Sequence, residues 1–264
     1  MAHKANMPPV TAPKKKWGQN FLRNRGAVER IVSAIEPEPE DLILEIGPGE
    51  GVLTEKLAQL PNDLTVIEID PDLAQRLRAR FGDRVEVLSD DATEAPLPSG
   101  PFRAVGNLPY NVGTPILRRV IASANWRRAV FMLQKEVAER LVAKPGDDQY
   151  GYLTLYVQLF ARARILMTLE PGSFHPRPKV RSAVVVLDPD RKPFASEELI
   201  ELISAAFRMR RKKLVNNLTA FDRSALIHAM ERLGINPDAR AEELGLEEFA
   251  KLAEGIGRAE ARPT

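Results

Sequence analysis

The sequence contains no cysteine. Disulfides, thiolate zinc sites and cysteine nucleophiles are thereby excluded, and an intracellular location fits. No apolar run approaches the roughly 20 residues of a membrane span. Residues 1–22 lack the apolar core of a signal peptide. The protein is therefore expected to be cytoplasmic, with no membrane partner. Histidine is scarce: His3, His175 and His228 are scattered, with no paired carboxylates at ligand spacing, so no metal site is predicted.

Net charge is also small, at +2 over 264 residues, but it is unevenly placed. Residues 1–30 hold seven Lys/Arg and one acid, residues 36–72 hold eleven acids and the single base Lys56, and residues 162–214 hold twelve bases against six acids. An acidic segment between two basic ones suggests two ligands, one polyanionic and one neutral or cationic. The competing reading is solvated helix faces. Hydrophobic content of 44% and charged content of 28% describe an ordinary globular chain.

Residues 1–13 are polar and proline-rich and are expected to be disordered. Helical periodicity over 25–35 stops at Pro37. Strands are predicted over 42–46, 64–69, 85–88, 102–105 and 129–133, alternating with helices over 52–60, 71–80, 114–122, 135–143 and 152–161. Two further strands, 164–169 and 182–187, have no helix between them and read as a hairpin closing the sheet. The pattern is α/β: a seven-stranded, mostly parallel Rossmann-like sheet with helices on both faces. Beyond Pro189 and Pro193 only helical patterns remain. The predicted division is a tail over 1–13, a sheet domain over 14–190 and a small helical domain over 194–264.

The chemistry gathers at the carboxyl ends of the strands, where open α/β sheets place ligands. Asn107, Leu108, Pro109 and Tyr110 follow the strand over 102–105. Pro109 cannot donate to a ladder and keeps Leu108 out of the helical region. The Asn107 side-chain oxygen and the Leu108 carbonyl can accept both hydrogens of an exocyclic amine, and Tyr110 can stack on the ring that bears it. The glycine loop Gly47-Pro48-Gly49-Glu50-Gly51 follows the first strand. Its G-x-G-x-G spacing departs from the dinucleotide fingerprint, and Glu50 stands where a phosphate would lie. Glu68 occupies the usual place of an acid that grips ribose hydroxyls, and Asp91 can accept from an adenine amine. A cationic nucleoside without phosphates, such as S-adenosylmethionine, fits this neighbourhood.

Five motifs stand in family order: Lys15 to Leu22 (KKWGQNFL), Leu44 to Gly49 (LEIGPG), Asn107 to Tyr110 (NLPY), Gln134 to Arg140 (QKEVAER) and Phe174 to Val180 (FHPRPKV). Together they resemble the ribosomal RNA small-subunit adenine dimethyltransferases, over nearly all the chain from Lys14, helical tail included. The resemblance implies methyl transfer from S-adenosylmethionine to N6 of two neighbouring adenosines, each dimethylated. These adenosines lie in a hairpin loop near the 3′ end of 16S rRNA, in an immature small ribosomal subunit. It also implies cofactor contacts from Asn20, Leu22, Gly47, Gly49, Glu68, Asp91 and Asn107. The target base would sit at Asn107, Leu108, Pro109 and Tyr110, with Phe174 completing an aromatic sandwich. The alternatives are an Erm-type methyltransferase of 23S rRNA and an assembly factor that binds RNA without catalysing.

Lys14, Lys15, Lys16, Arg177, Lys179, Arg208, Arg211 and Lys212 are the expected RNA-binding residues. On a helix Arg208, Arg211 and Lys212 would share a face, being three and four residues apart, with Phe207, Leu214 and Leu218 turned inward. This helix and the N-terminal lysines are expected to line one RNA surface around the Asn107 pocket. The chain is expected to act as a monomer.

Overall fold

The computed structural model describes Lys14 and residues 17–260. A two-residue strand, β1 (Phe21–Leu22), precedes helix α1 (Arg25–Ile35). Asn24 starts that helix by accepting from the Ala27 amide, 3.0 Å away, which satisfies one of the donors a helix start leaves unpaired. Glu36 ends it in a left-handed conformation before Pro37. Its buried stripe is Ala27, Val28, Ile31, Ala34 and Ile35, the spacing of a helix laid on a core.

Strand and helix then alternate: β2 (Leu42–Ile46), α2 (Thr54–Leu57), β3 (Leu64–Ile67), α3 (Pro71–Phe81), β4 (Glu86–Leu88), β5 (Phe102–Asn107), α4 (Gly113–Ala122), β6 (Trp126–Gln134) and α5 (Lys135–Val142). Helix α6 (Tyr152–Phe160) and strands β7 (Ala161–Leu169), β8 (Phe174–His175) and β9 (Ser182–Pro189) follow. The helix predicted over 52–60 shrinks to the single turn α2. Gly47, Gly49 and Gly51 all take positive φ and curl the backbone before it.

Seven strands form one sheet in the order β4-β3-β2-β5-β6-β9-β7. Pairings from β4 through β6 are parallel, and β9 runs antiparallel to β6. Both faces are covered, so the central strands are mostly apolar: Ile43, Val66, Ala104, Val105, Phe131 and Val184 to Leu187 have no or almost no exposed surface, while Glu45, Thr65 and Arg103 are buried polar exceptions. A separate ribbon pairs β1 with β8, setting Phe21 opposite His175 and Leu22 opposite Phe174. No periodic pattern announced it.

The chain divides into two compact units. One holds the residues up to Ala138 together with Ala163–Pro189, and the other holds Glu139–Arg162 with the residues from Asp190 onward. Helix α6 thus counts with the tail. The second unit adds α7 (Glu197–Ala206), α8 (Leu214–Asn217), α9 (Arg223–Arg232) and α10 (Leu246–Glu260). Ser196 and Asp222 cap α7 and α9 with their side chains. Inside it the rings of Tyr150 and Phe249 each lie 6.1 Å from that of Phe207, and the Tyr150 hydroxyl donates to the Leu244 carbonyl. Among the described residues no helix is long and apolar enough to cross a membrane.

Candidate active site

The carboxyl ends of β2, β3 and β5 open into a cleft with about 960 Å³ of empty space, open solvent included. Its walls come from residues 17–22, the glycine loop, the ends of β3 and β4 and the segment after β5. Two glycines set its geometry. Gly49 has φ 58°, and a Cβ there would lie 2.9 Å from the Phe21 ring. At Gly106, inside β5, a Cβ would lie 2.3 Å from the Ile46 carbonyl oxygen. The strand ends can approach this closely only with glycine there. A glycine inside a strand is a sequence signal for such a close approach, though Gly106 was not among the expected site residues.

Glu45, Glu50, Glu68, Asp90 and Asp91 line the cleft, and among the described residues no lysine, arginine or histidine does. Glu68 is buried and accepts from the Gly49 amide at 3.0 Å and the Asp70 amide at 2.9 Å. Burial pushes its carboxyl above the usual range, against the pull of those amides. Asp91 accepts from the Thr93 amide and hydroxyl through one oxygen, Oδ1. Arg119 of α4 donates to the Ala92 and Glu94 carbonyls and so braces the loop that carries Asp91. Glu45 was not singled out from the sequence. It accepts from the Thr54 hydroxyl at 2.7 Å, and burial pushes its carboxyl up to about 8.

Asn107 ends β5. Its Nδ2 donates to the Asn20 backbone carbonyl at 2.7 Å. That bond fixes which way the amide points, leaving Oδ1 as the acceptor. The Leu108 amide is held by the Met132 carbonyl at 3.1 Å, and the Val112 amide by the Pro109 carbonyl. Leu108, Pro109 and Tyr110 all line the cleft, as do Asn20, Leu22, Gly47 and Gly49. Tyr110 is half-buried, and its hydroxyl lies 2.7 Å from that of Ser182 in β9. Burial raises its phenol, so it stays neutral at physiological pH.

A sequence profile of the ribosomal RNA adenine dimethylase family matches residues 10–257. The chain belongs to the ribosomal RNA adenine dimethylase family. It is 39% identical over 255 residues to the ribosomal RNA small subunit methyltransferase A of Hahella chejuensis, covering 92% of each chain. With the protein of the same name from Methylococcus capsulatus it shares 42% over 252 residues, covering 91% of this chain and 96% of the relative. Among solved structures it resembles a dimethyladenosine transferase from Plasmodium falciparum, with TM-score 0.82, 28% identity and coverage of 90% and 98%. It also resembles the 23S rRNA methyltransferase ErmE, with TM-score 0.72, 27% identity and coverage of 90% and 100%.

Two of the residues expected to serve this dimethylase lie elsewhere. Phe174 is only 3% exposed and packs in the hydrophobic core with Leu22, Val28 and Leu169. It is not among the residues lining the cleft, so the sandwich expected of it is not formed here. Pairing of β8 with β1 draws its ring inward. Lys14, expected to face RNA, is committed to carboxylates instead. Its ammonium lies 2.7 Å from Asp70 and 2.6 Å from Asp72, while its backbone amide donates to Gln19, which itself donates to Asp70. Asp70 caps α3 and Asp72 stands in its first turn, so the helix start concentrates negative charge where Lys14 docks. Partial burial opposes ionisation of Asp70, but the Lys14 and Gln19 hydrogen bonds outweigh it and hold its carboxyl below the usual range. Lys15, Lys16 and the tail over 1–13 lie outside the described residues.

The other basic residues of the dimethylase are exposed. Arg177 and Lys179 stand on the loop between β8 and β9. Arg208, Arg211 and Lys212 are exposed too, but not on a helix: α7 ends at Ala206, and turns occupy 207–212. The buried Asn217 side chain explains the difference. Its Nδ2 donates to the carbonyls of Ala206 and Met209, at 2.7 and 3.1 Å, which a continuing helix would give to the amides of residues 210 and 213. Arg210 turns back to the carbonyls of Asp148 and Tyr150, which fastens the turn from its other side.

Proposed function

We propose that the chain transfers methyl groups from S-adenosylmethionine to N6 of two adjacent adenosines in a hairpin loop near the 3′ end of 16S rRNA. Each adenosine takes two methyl groups, and the substrate is an immature small ribosomal subunit. The enzyme acts in the cytoplasm as a monomer. The observation that carries this reading is the fixed amide of Asn107, whose Oδ1 is kept as an acceptor by the bond from Nδ2 to Asn20.

The cleft suits the cofactor. Its five lining carboxylates, with no basic residue among the described ones, favour a cationic ligand and disfavour a phosphate. When bound, S-adenosylmethionine supplies a methyl group already activated on a sulfonium. Glu68 and Asp91 would hold it by accepting from hydroxyl and amine groups, Gly47 and Gly49 allow close backbone approach, and Asn20, Leu22 and Asn107 complete the wall. Tyr110 presents a face on which a flipped adenine stacks. Asn107 Oδ1 and the Leu108 carbonyl accept the two hydrogens of its amine. Those bonds draw the nitrogen away from conjugation with the ring and aim its lone pair along one direction. After one methylation a single N–H remains, and one acceptor suffices to orient it. The proton can leave to water after transfer, so no strong base has to line the cleft.

Arg177, Lys179, Arg208, Arg211 and Lys212 would grip phosphates of the surrounding RNA. The relatives at 39% and 42% identity are named for the small subunit, and among solved structures the dimethyladenosine transferase fits with TM-score 0.82 against 0.72 for ErmE, which favours 16S over 23S RNA. The test is transfer of labelled methyl groups to immature small subunits, with large-subunit RNA as the comparison. Label in N6,N6-dimethyladenosine of 16S rRNA is expected. Label confined to 23S rRNA, or none at all, rejects the assignment.

A further inference from the structure

Tyr110 has a second anchor besides its own loop. Its hydroxyl lies 2.7 Å from that of Ser182, and the two residues are separated by 72 positions in the chain. Ser182 is fully buried at the start of β9, opposite Gln134 at the end of β6. The Lys135 amide donates to the Arg181 carbonyl at 2.9 Å, immediately beside it. The Ser182 hydroxyl therefore stands on two paired strands and moves only with them. Pro109 and Tyr110, by contrast, belong to an irregular segment between β5 and α4. An aromatic ring on such a segment can turn about its side-chain torsions unless its far end is held. Here the far end is held by Ser182.

We infer that Ser182 is a positioning residue: through its hydrogen bond to the Tyr110 hydroxyl it fixes the direction of the ring's long axis and so where the ring stands for the target adenine to stack on it. The inference rests on the reading of Tyr110 as the stacking face. It adds a chemical reason for tyrosine at this position, since phenylalanine would stack equally well but could not be anchored. It also connects the RNA-facing loop to the cleft. Arg177, Lys179 and Arg181 precede Ser182 on the segment that ends at this anchor. Phosphates held by that loop would therefore be registered against the same strands that hold the ring.

The test is a double-mutant cycle on the full chain, with Ser182→Ala, Tyr110→Phe and the double variant. Single-turnover methyl transfer to immature small subunits is read at saturating cofactor. Each single variant is expected to slow transfer about 3- to 10-fold, the range a neutral hydrogen bond supplies. The double variant should be no slower than either single one, because all three lack the same bond. Subunit affinity and S-adenosylmethionine affinity should stay within about twofold of the parent, which separates orientation of the ring from loss of structure. Additive losses, or an unchanged rate in Tyr110→Phe, overturn the inference. Tyr110→Phe leaves β9 untouched, so it decides the matter even if Ser182→Ala folds poorly. Tyr110→Ala separates the two layers of argument. If that variant were fully active the stacking role itself would fall, whereas a slow Tyr110→Ala beside a fast Tyr110→Phe removes only Ser182.

Discussion

Asn107 and Asn20 meet across 87 residues of sequence, side-chain amide to backbone carbonyl, at 2.7 Å. The bond joins the end of β5 to the segment over residues 17–22, which also lines the cleft. It commits a donor of Asn107 to structure and leaves Oδ1 as the acceptor proposed for the amine. Asn107→Ala is expected to slow single-turnover methylation at saturating cofactor on the order of 10²–10³-fold, the usual effect of removing one preorganised polar group at a reacting centre. Tyr110→Ala should cost about 5- to 150-fold from lost stacking, with little change in cofactor affinity. Normal turnover by Asn107→Ala would remove it from the amine.

Glu68 has a structural duty beside the cofactor contact proposed for it, and replacement by alanine removes both. Its oxygens accept from the amides of Gly49 and Asp70. Glu68→Ala therefore leaves two buried donors unpaired and should lower stability by about 1–3 kcal/mol for each, in addition to weakening the cofactor. Glu68→Gln keeps one acceptor oxygen and the shape. Its NH2 must face one of the two backbone donors, which bind different carboxylate oxygens, so it should lose about 1–3 kcal/mol, roughly half the loss of Glu68→Ala, while S-adenosylmethionine affinity falls at least about tenfold, or about 1.4 kcal/mol. Calorimetry showing parental affinity in Glu68→Gln would take the carboxylate out of the binding site.

Glu45 predicts a pH dependence of stability. Burial raises its carboxyl from 4.5 to about 8 in the folded chain. Between those values the folded state holds the proton that the unfolded state has released, so stability falls as pH rises through this window and levels off above it. From about pH 5.5 to 8 the loss from this group should be about 2–3 kcal/mol. Glu45→Gln, which cannot ionise, should show a flatter profile in urea denaturation over the same range. Parallel profiles for the two proteins would mean that Glu45 is solvated or paired more favourably than its burial suggests.

The exposed turn after α7 makes a separate prediction. Replacing Arg208, Arg211 and Lys212 with Ala should weaken binding to immature subunits and flatten the log-affinity against log-salt slope by about 0.7–0.9 for each phosphate no longer gripped. Cofactor affinity should not change, because these side chains are not in the cleft. A triple variant with the parental salt slope would make them solvent-facing charges and nothing more.

The β-α alternation, the closing strands and the helical tail were legible because each rests on a local pattern: apolar runs of strand length, helical spacing and prolines at the boundaries. That the NLPY and glycine-loop residues line one cleft was legible because they follow strands at the carboxyl edge of the sheet, where such sheets open. What escaped depends on contacts that no local pattern encodes. The β1–β8 ribbon has two residues a side and joins Phe21 to His175. Its formation buries Phe174, which the sequence assigned to the base. Lys14 was read by its charge, yet the capping carboxylate of Asp70 claims it. The spacing of Arg208, Arg211 and Lys212 is helical, but a distant asparagine side chain takes the carbonyls a helix would need. Ser182 carried no signal at all, since a serine beginning a strand is unremarkable until its partner is seen.

The order of strands in the sheet sets a constraint on biosynthesis. β9 lies between β6 and β7 although it is made after both. Until residues 182–189 arrive, β6 keeps one edge unpaired and β7, whose only neighbour in the sheet is β9, has no partner at all. A nascent chain stalled before that point would leave open the edge of the largely buried strand β6, the form of surface most prone to pair with a neighbouring molecule. Shortened products of this sequence should therefore be among the least soluble, and the last strand to be synthesised is the one that makes the sheet safe.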